Sequence, residues 1–126
     1  MSLVAIVARD LIIATRIGEA AAAAGHSAAR FDAPDGLPPA ASVALAFVDW
    51  TSRDDDWAGA LSTWAAQAPP HEAPRLLLFG SHTDLEAHAA ARHAGLGPMW
   101  ARSKLIVDLP DLMRALPARQ DRRPTD

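Results

Sequence analysis

The chain has 126 residues and a formal net charge of −3; half of its residues are hydrophobic, 21% are charged and none is cysteine. These values are typical of one globular domain, and they argue against disulfides, against thiolate metal sites and, since no long basic run is present, against nucleic acid as a partner. No apolar stretch approaches the roughly 20 residues that cross a bilayer, and the first ten residues do not resemble a signal peptide, so we expect a cytoplasmic protein without a membrane partner.

The first third of the chain predicts a strand, a helix and a second strand. Residues 3–8 are an apolar run of strand length. Residues 11–24 favour a helix, with Asp10 as its N-cap and Gly25 as its stop. Residues 26–31 are a weaker extended candidate. The prolines that follow leave space for at most a short helical turn before the third strand.

The middle of the chain predicts a central strand and a helix. Residues 42–48 are continuously apolar, which is typical of a strand buried on both faces, and Asp49-Trp50 follows directly. In the next segment Trp57, Leu61 and Trp64 recur at helical spacing, which indicates a helix with these side chains in the core.

The remaining elements are shorter. Residues 75–79 predict a fourth strand, residues 85–94 a helix and residues 98–101 a fifth strand. Asp108 is expected to open the last helix, with Pro110 in its first turn and an end near residue 116. We therefore expect one domain over residues 1–116 and a flexible tail over residues 117–126.

Five nearly all-apolar strands that alternate with helices predict an α/β fold. We expect a parallel sheet of order 2-1-3-4-5 between two helical layers, the flavodoxin-like αβα sandwich. In such sheets the functional crevice lies outside the carboxyl ends of the strands. The candidate pocket residues at those ends are Ala8, Arg9, Asp10, Asp49, Trp50, Gly80 and Ser81.

The order and spacing of the residues at the strand ends resemble those of the CheY-like receiver domain of two-component response regulators, over about residues 3–116. Asp49 resembles the phospho-acceptor aspartate of that family, and the AARHAG sequence of residues 90–95 resembles the end of its fourth helix. From Gly80 to Gly95 the residue spacing matches that family without a gap, so the resemblance places Gly80 at the position of the family's threonine or serine. It places Arg102, a further pocket residue, at the family's lysine.

At the first strand the chain departs from the receiver pattern. Ala8 and Arg9 stand where the resemblance implies the acidic pair that holds magnesium, and Asp10 is at best a partial substitute. Magnesium needs hard oxygen ligands in near-octahedral geometry, and phosphoryl transfer depends on charge neutralisation. We therefore expect no metal and no cofactor, and Arg9 or Arg102 paired with Asp49 in place of the ion.

These departures predict a pseudo-receiver, a non-enzymatic signalling module that acts by protein–protein interaction and is phosphorylated poorly or not at all. Two alternatives stay open. One is a receiver that is still phosphorylated at Asp49, and the other is a domain that binds a small anionic ligand at the strand ends, near Arg9 and Arg102.

Met99 and Trp100 lie on the predicted fifth strand, on the face that receivers commonly use for dimers or partners. Methionine and tryptophan are enriched in the cores of interfaces, so we expect a protein partner or a homodimer to bind there. The alternative is that these side chains pack inward.

Overall fold

The computed structural model describes residues 2–116, so the tail expected at residues 117–126 lies outside the described residues. The strands are β1 (Leu3–Val7), β2 (Ser27–Phe31), β3 (Leu45–Asp49), β4 (Arg75–Gly80) and β5 (Met99–Ala101). The helices are α1 (Leu11–Ala23), α2 (Trp57–Ala66), α3 (Leu85–His93) and α4 (Arg102–Arg114). All strand pairs are parallel and the order is β2-β1-β3-β4-β5, which confirms the predicted α/β topology.

Both faces of the sheet are covered, which explains why its central strands are apolar apart from a charged residue at one end of β3 and of β4. Val4 and Ile6 of β1 pack in one core with α1 and α4, whereas Val7 packs in another with α2 and α3. Every residue of β3 is buried. None of the helices within residues 2–116 has the length and apolar character that crossing a membrane requires.

Helix α1 begins and ends at the predicted signals. Asp10 Oδ1 accepts the backbone N–H groups of the first helical turn at 2.9 and 3.4 Å, as an N-cap does. Gly25 has a φ of +85°, a left-handed conformation that costs glycine little. The N–H of His26 then donates to Ala21 O at 2.9 Å, which completes a Schellman ending.

The connection from β2 to β3 contains no α-helix, as its prolines predicted. Two 3₁₀ turns, Pro34–Gly36 and Ala40–Ser42, take the place of a crossover helix. The indole Nε1 of Trp64 in α2 donates to Pro38 O at 2.7 Å and fixes this segment against α2. Trp57 and Trp64 are buried core residues, as expected.

The prediction for the last helix was wrong. Helix α4 begins at Arg102, directly after β5, and Pro110 lies in its interior rather than in its first turn. Leu105 and Leu109 form a buried face against α1, and burying such side chains stabilises by about 1.5–3 kcal/mol each. This packing outweighs the proline, whose ring is exposed and which costs about 3 kcal/mol in a helix interior.

Replacing Pro110 tests where α4 begins. Pro110→Ala restores an N–H donor for Ile106 O, so we expect it to raise the free energy of unfolding by about 1–2 kcal/mol, after allowance for the stiffer unfolded chain of the parent protein. The measurement is urea denaturation followed by circular dichroism. Pro39→Ala, at an exposed non-helical position, is the control and should give no such gain. A neutral Pro110→Ala would contradict the interior position.

Candidate functional site

Asp49 ends β3 at the centre of the sheet edge, and the residue is only 2% exposed. Its Oδ2 accepts a hydrogen bond from Ser52 Oγ at 3.1 Å. Its Oδ1 is buried and has no hydrogen-bond partner. A buried carboxylate needs compensating donors or charge. Here Arg102 supplies the charge, with its Nη2 at 3.7 Å from Oδ1.

Arg102 reaches Asp49 because α4 follows β5 without a loop. The pairing of Gly80 with Ala101 brings the start of α4 to the end of β4, beside the end of β3. The Arg102 side chain is 43% exposed, so its guanidinium is accessible to water while it faces the carboxylate. The ion pair therefore lies at the boundary between the core and the solvent.

Arg9, the other arginine expected to pair with Asp49, lies elsewhere. Its Nη2 pairs with Asp54 Oδ2 at 3.6 Å, and its guanidinium carbon lies 5.8 Å from the centre of the Trp57 ring. A cation over an aromatic face is an attractive arrangement. Arg9 thus ties the end of β1 to the start of α2 and contributes no contact to Asp49.

The other expected pocket residues, Ala8 and Asp10, follow β1 and offer little to a ligand at Asp49. Ala8 is fully buried, and its carbonyl accepts a hydrogen bond from Arg30 Nη1 at 3.1 Å. The carboxylate of Asp10 caps α1. Within residues 2–116 no three histidine, aspartate or glutamate side chains come together as a metal-binding group would require.

Gly80 is in close contact with Thr51, which was not among the site residues predicted from the sequence. A Cβ atom at position 80 would overlap Thr51 Oγ1 and would lie 3.1 Å from the sulfur of Met99. Thr51 Oγ1 in turn accepts the N–H of Ser81 at 3.3 Å. The hydroxyl at this point of the site therefore comes from the loop after β3 and not from the end of β4.

Trp50 points away from the proposed pocket. It is 1% exposed, and its Nε1 donates to Ala87 O of α3 at 3.0 Å. Arg53 covers it, with the guanidinium carbon 5.2 Å from the ring centre and Nη1 donating to Trp50 O at 3.1 Å. Trp50 thus anchors the end of β3 to α3.

A cleft of about 580 Å³ lies between the end of β4 and the start of α4. Its polar lining consists of Thr51, Ser81, His82, Arg102 and Ser103. Thr51 and Ser52 follow the strand-final Asp49 after one intervening residue, Trp50, and small hydroxyl residues near a strand end are the signal that could have drawn attention to them.

The two proposed interface residues differ in exposure. Met99 is 5% exposed and packs in the core between β4 and α3. Trp100 is half-buried, and Lys104 Nζ lies 5.2 Å from its ring centre. Association through this face stays a prediction, in which Trp100 rather than Met99 offers a surface.

Comparisons with known proteins bear on the fold. No protein-family model matches the chain, and no curated protein matches it. Among solved structures, a response regulator receiver protein from Burkholderia phymatum superposes with a TM-score of 0.63 at 15% identity, over 93% of this chain and 99% of that one. The chain has the receiver-domain fold. A response regulator from Thermotoga maritima, with a TM-score of 0.64 at 11% identity over 91% of this chain and 99% of that one, shares this receiver fold.

A third structure, the beryllofluoride-activated NtrC receiver domain, superposes with a TM-score of 0.55 at 20% identity. The alignment covers 90% of this chain and 94% of that domain. The receiver fold thus extends over nearly the whole described chain.

Removing Arg102 tests how far the ion pair compensates the burial of Asp49. We expect Arg102→Ala to lower the free energy of unfolding by about 1–2 kcal/mol, less than for a fully buried pair because water reaches the guanidinium. Adding Asp49→Asn should recover part of the loss. The control is Arg16→Ala, at an exposed arginine, with an expected change within about 0.5 kcal/mol. Urea denaturation that shows equal losses for the two arginine variants would contradict the compensation.

The contact between positions 80 and 51 is tested by a double-mutant cycle. Gly80→Ala should destabilise by about 1–3 kcal/mol because its methyl group overlaps the Thr51 hydroxyl. In a Thr51→Gly background the same substitution should cost about 1 kcal/mol less. Gly59→Ala, in a helix with open space around it, is the matched control and should not destabilise. Equal costs in both backgrounds would show that the two positions do not interact.

Proposed function

We propose that the chain is a pseudo-receiver, a non-enzymatic signalling module that acts by contact with a protein partner and without a phosphorylation cycle at Asp49. The observation that carries this proposal is the set of side chains at the end of β1: Ala8 has no carboxylate, Arg9 pairs with Asp54, and the Asp10 carboxylate caps α1. In the receiver pattern, the phospho-acceptor aspartate works with a metal ion that acidic residues at this strand end help to hold. Here the charge that faces the Asp49 carboxylate is that of Arg102.

The donor set around Asp49 supports the proposal, because it does not fit magnesium. That ion takes near-ideal octahedral oxygen coordination, usually with one or two carboxylates and several waters. Ala8 has no side-chain oxygen, Arg9 is directed to Asp54, and the Asp10 carboxylate caps α1. Asp49 is left with a guanidinium beside it, and a second cation there would be repelled.

The environment of Gly80 also supports the proposal that the chain is a pseudo-receiver. The resemblance to receivers implies a threonine or serine hydroxyl at this position, which would contact the phosphoryl group. Gly80 has no side chain, and Thr51 fills the space that one would need. The Thr51 hydroxyl accepts the N–H of Ser81, so it is engaged in holding the loop after β4.

Phosphorylation chemistry tests the proposal directly. The protein is incubated with acetyl phosphate and magnesium and its intact mass is measured; in parallel, the ¹⁵N-labelled protein is titrated with beryllofluoride while the amide signals of Asp49 and Ser52 are followed. Ser52 donates its hydroxyl to Asp49, so both amides should report binding at the carboxylate. We expect no mass gain of one phosphoryl group and no shift of these signals, for the parent protein as for Asp49→Asn. The NtrC receiver domain is the positive control for beryllofluoride.

An Asp49-dependent gain of one phosphoryl group would overturn the proposal and establish the alternative of a phosphorylated receiver. A mass gain that persists in Asp49→Asn would place the modification elsewhere and would leave the proposal intact.

A second candidate function is binding of a small anionic ligand, which the cleft beside Arg102 favours. Arg102 and the hydroxyls of Thr51, Ser81 and Ser103 line this cleft, and α4 begins there without a side-chain cap. A ligand at about 100 times its Kd stabilises a protein by about 2.7 kcal/mol. Thermal unfolding with a panel of phosphates and nucleotides should therefore show a clear rise in Tm if this function holds. No rise with any member counts against it.

A further inference from the structure

A groove lies beside α2 where a crossover helix would normally pack. Parallel strands are usually joined through an α-helix, but between β2 and β3 this chain has two 3₁₀ turns and a proline-rich segment. The resulting groove has a volume of about 670 Å³. Leu37, Pro38 and Pro39 form one wall, and Ala60 and Trp64 on α2 form the other. We call it the proline–α2 groove.

The walls of the groove are held in place without a ligand. Prolines fix their own φ angles, and the Trp64 indole donates to Pro38 O at 2.7 Å, joining one wall to the other. A rigid site loses little conformational entropy when it binds. The groove is therefore preformed, and its volume falls in the range of about 300–1,000 Å³ that is usual for binding sites.

Two carboxylates line one end of the groove, one on each wall. Asp35 lies in the turn Pro34–Gly36, which contacts α2, and Asp56 stands at the N-cap position of α2. Asp56 does not cap the helix with its side chain. Neither carboxylate has an ion-pair partner in the described part of the chain. Of the other aspartates in residues 2–116, Asp10 and Asp84 cap helices, and Asp55 has no ion-pair partner within that range. The remaining five pair with a basic side chain: Asp32, Asp49, Asp54, Asp108 and Asp111.

We propose that the proline–α2 groove binds a short peptide segment of a partner protein, with apolar side chains against Leu37, Pro38 and Ala60 and an arginine or lysine at Asp35 and Asp56. Two exposed carboxylates that line one groove attract a cation, and the half-buried Leu37, Pro38 and Ala60 offer apolar surface beside them. This inference rests on the proposed role in protein contact, but it uses no residue of the Asp49 site.

The test is a titration of the ¹⁵N-labelled protein with a blocked hexapeptide of four apolar residues followed by two arginines. We expect saturable shifts of the amide signals of Leu37, Ala60 and Thr63 and of the Trp64 indole N–H. A counterpart peptide with two glutamates in place of the arginines should bind at least about tenfold more weakly. No shift of these signals with the basic peptide, or equal binding of both peptides, would overturn the inference.

Variants of the protein separate the two parts of the groove. Asp35→Asn combined with Asp56→Asn should raise the Kd of the basic peptide about tenfold, which corresponds to about 1.4 kcal/mol. Asp55→Asn removes a neighbouring carboxylate that does not line the groove and should leave the Kd unchanged. Ala60→Arg fills the apolar part and should abolish binding. Equal Kd values for the double variant and the parent protein would refute the role of the two carboxylates.

Two controls separate peptide binding in the groove from binding of a simple cation and from effects at Asp49. Arginine amide alone should not reproduce the shifts at the same concentration; if it does, the site takes a small cation and not a peptide. Asp49→Asn should bind the peptide as the parent protein does. If acetyl phosphate modifies Asp49 while the peptide still binds, the proposed function is wrong and the inference about the groove holds. If Asp49 is not modified and the peptide does not bind, the inference about the groove is wrong and the proposed function holds.

Discussion

Asp49 places a negative charge at the carboxyl end of the central strand of an apolar sheet, and this charge must be compensated. Residues that follow β3 and β5 provide that compensation. Asp49 ends a strand whose residues are all buried, so its carboxylate has little access to water. Ser52 donates one hydrogen bond, and Arg102 supplies the opposite charge. The direct step from β5 into α4 places this arginine where it is needed. The start of the last helix and the central strand are therefore electrostatically linked.

Two other charged residues at the carboxyl ends of the strands also have partners within the chain. Arg9 pairs with Asp54 and covers Trp57, and Asp10 caps α1. An edge whose charges are satisfied internally has little to offer a metal ion. The proline–α2 groove differs, because the carboxylates at its end have no cation among the described residues. Recognition by this protein is thus expected on the flank of α2 rather than at the strand ends.

Much of the fold could be predicted from the sequence because its signals are local. Continuous apolar runs indicate strands buried on both faces, and Asp10 and Gly25 mark the ends of α1. The start of α4 could not be predicted in this way. Pro110 is a strong local signal for a first turn, but the apolar face that α4 buries against α1 outweighs it, and that contact joins residues distant in the sequence.

The candidate site was predictable only in part, for a similar reason. The strand ends identify Asp49, and the resemblance to receivers brings in Arg102. Which arginine faces the carboxylate depends on how the chain leaves β5, and no pattern in the sequence specifies that. Thr51 was missed because its role follows from the space left by a glycine on the neighbouring strand. The overlap at positions 51 and 80 also couples the evolution of these two positions: a side chain at position 80 costs less stability once the one at position 51 has become smaller, so the path that changes position 51 first crosses the lower barrier.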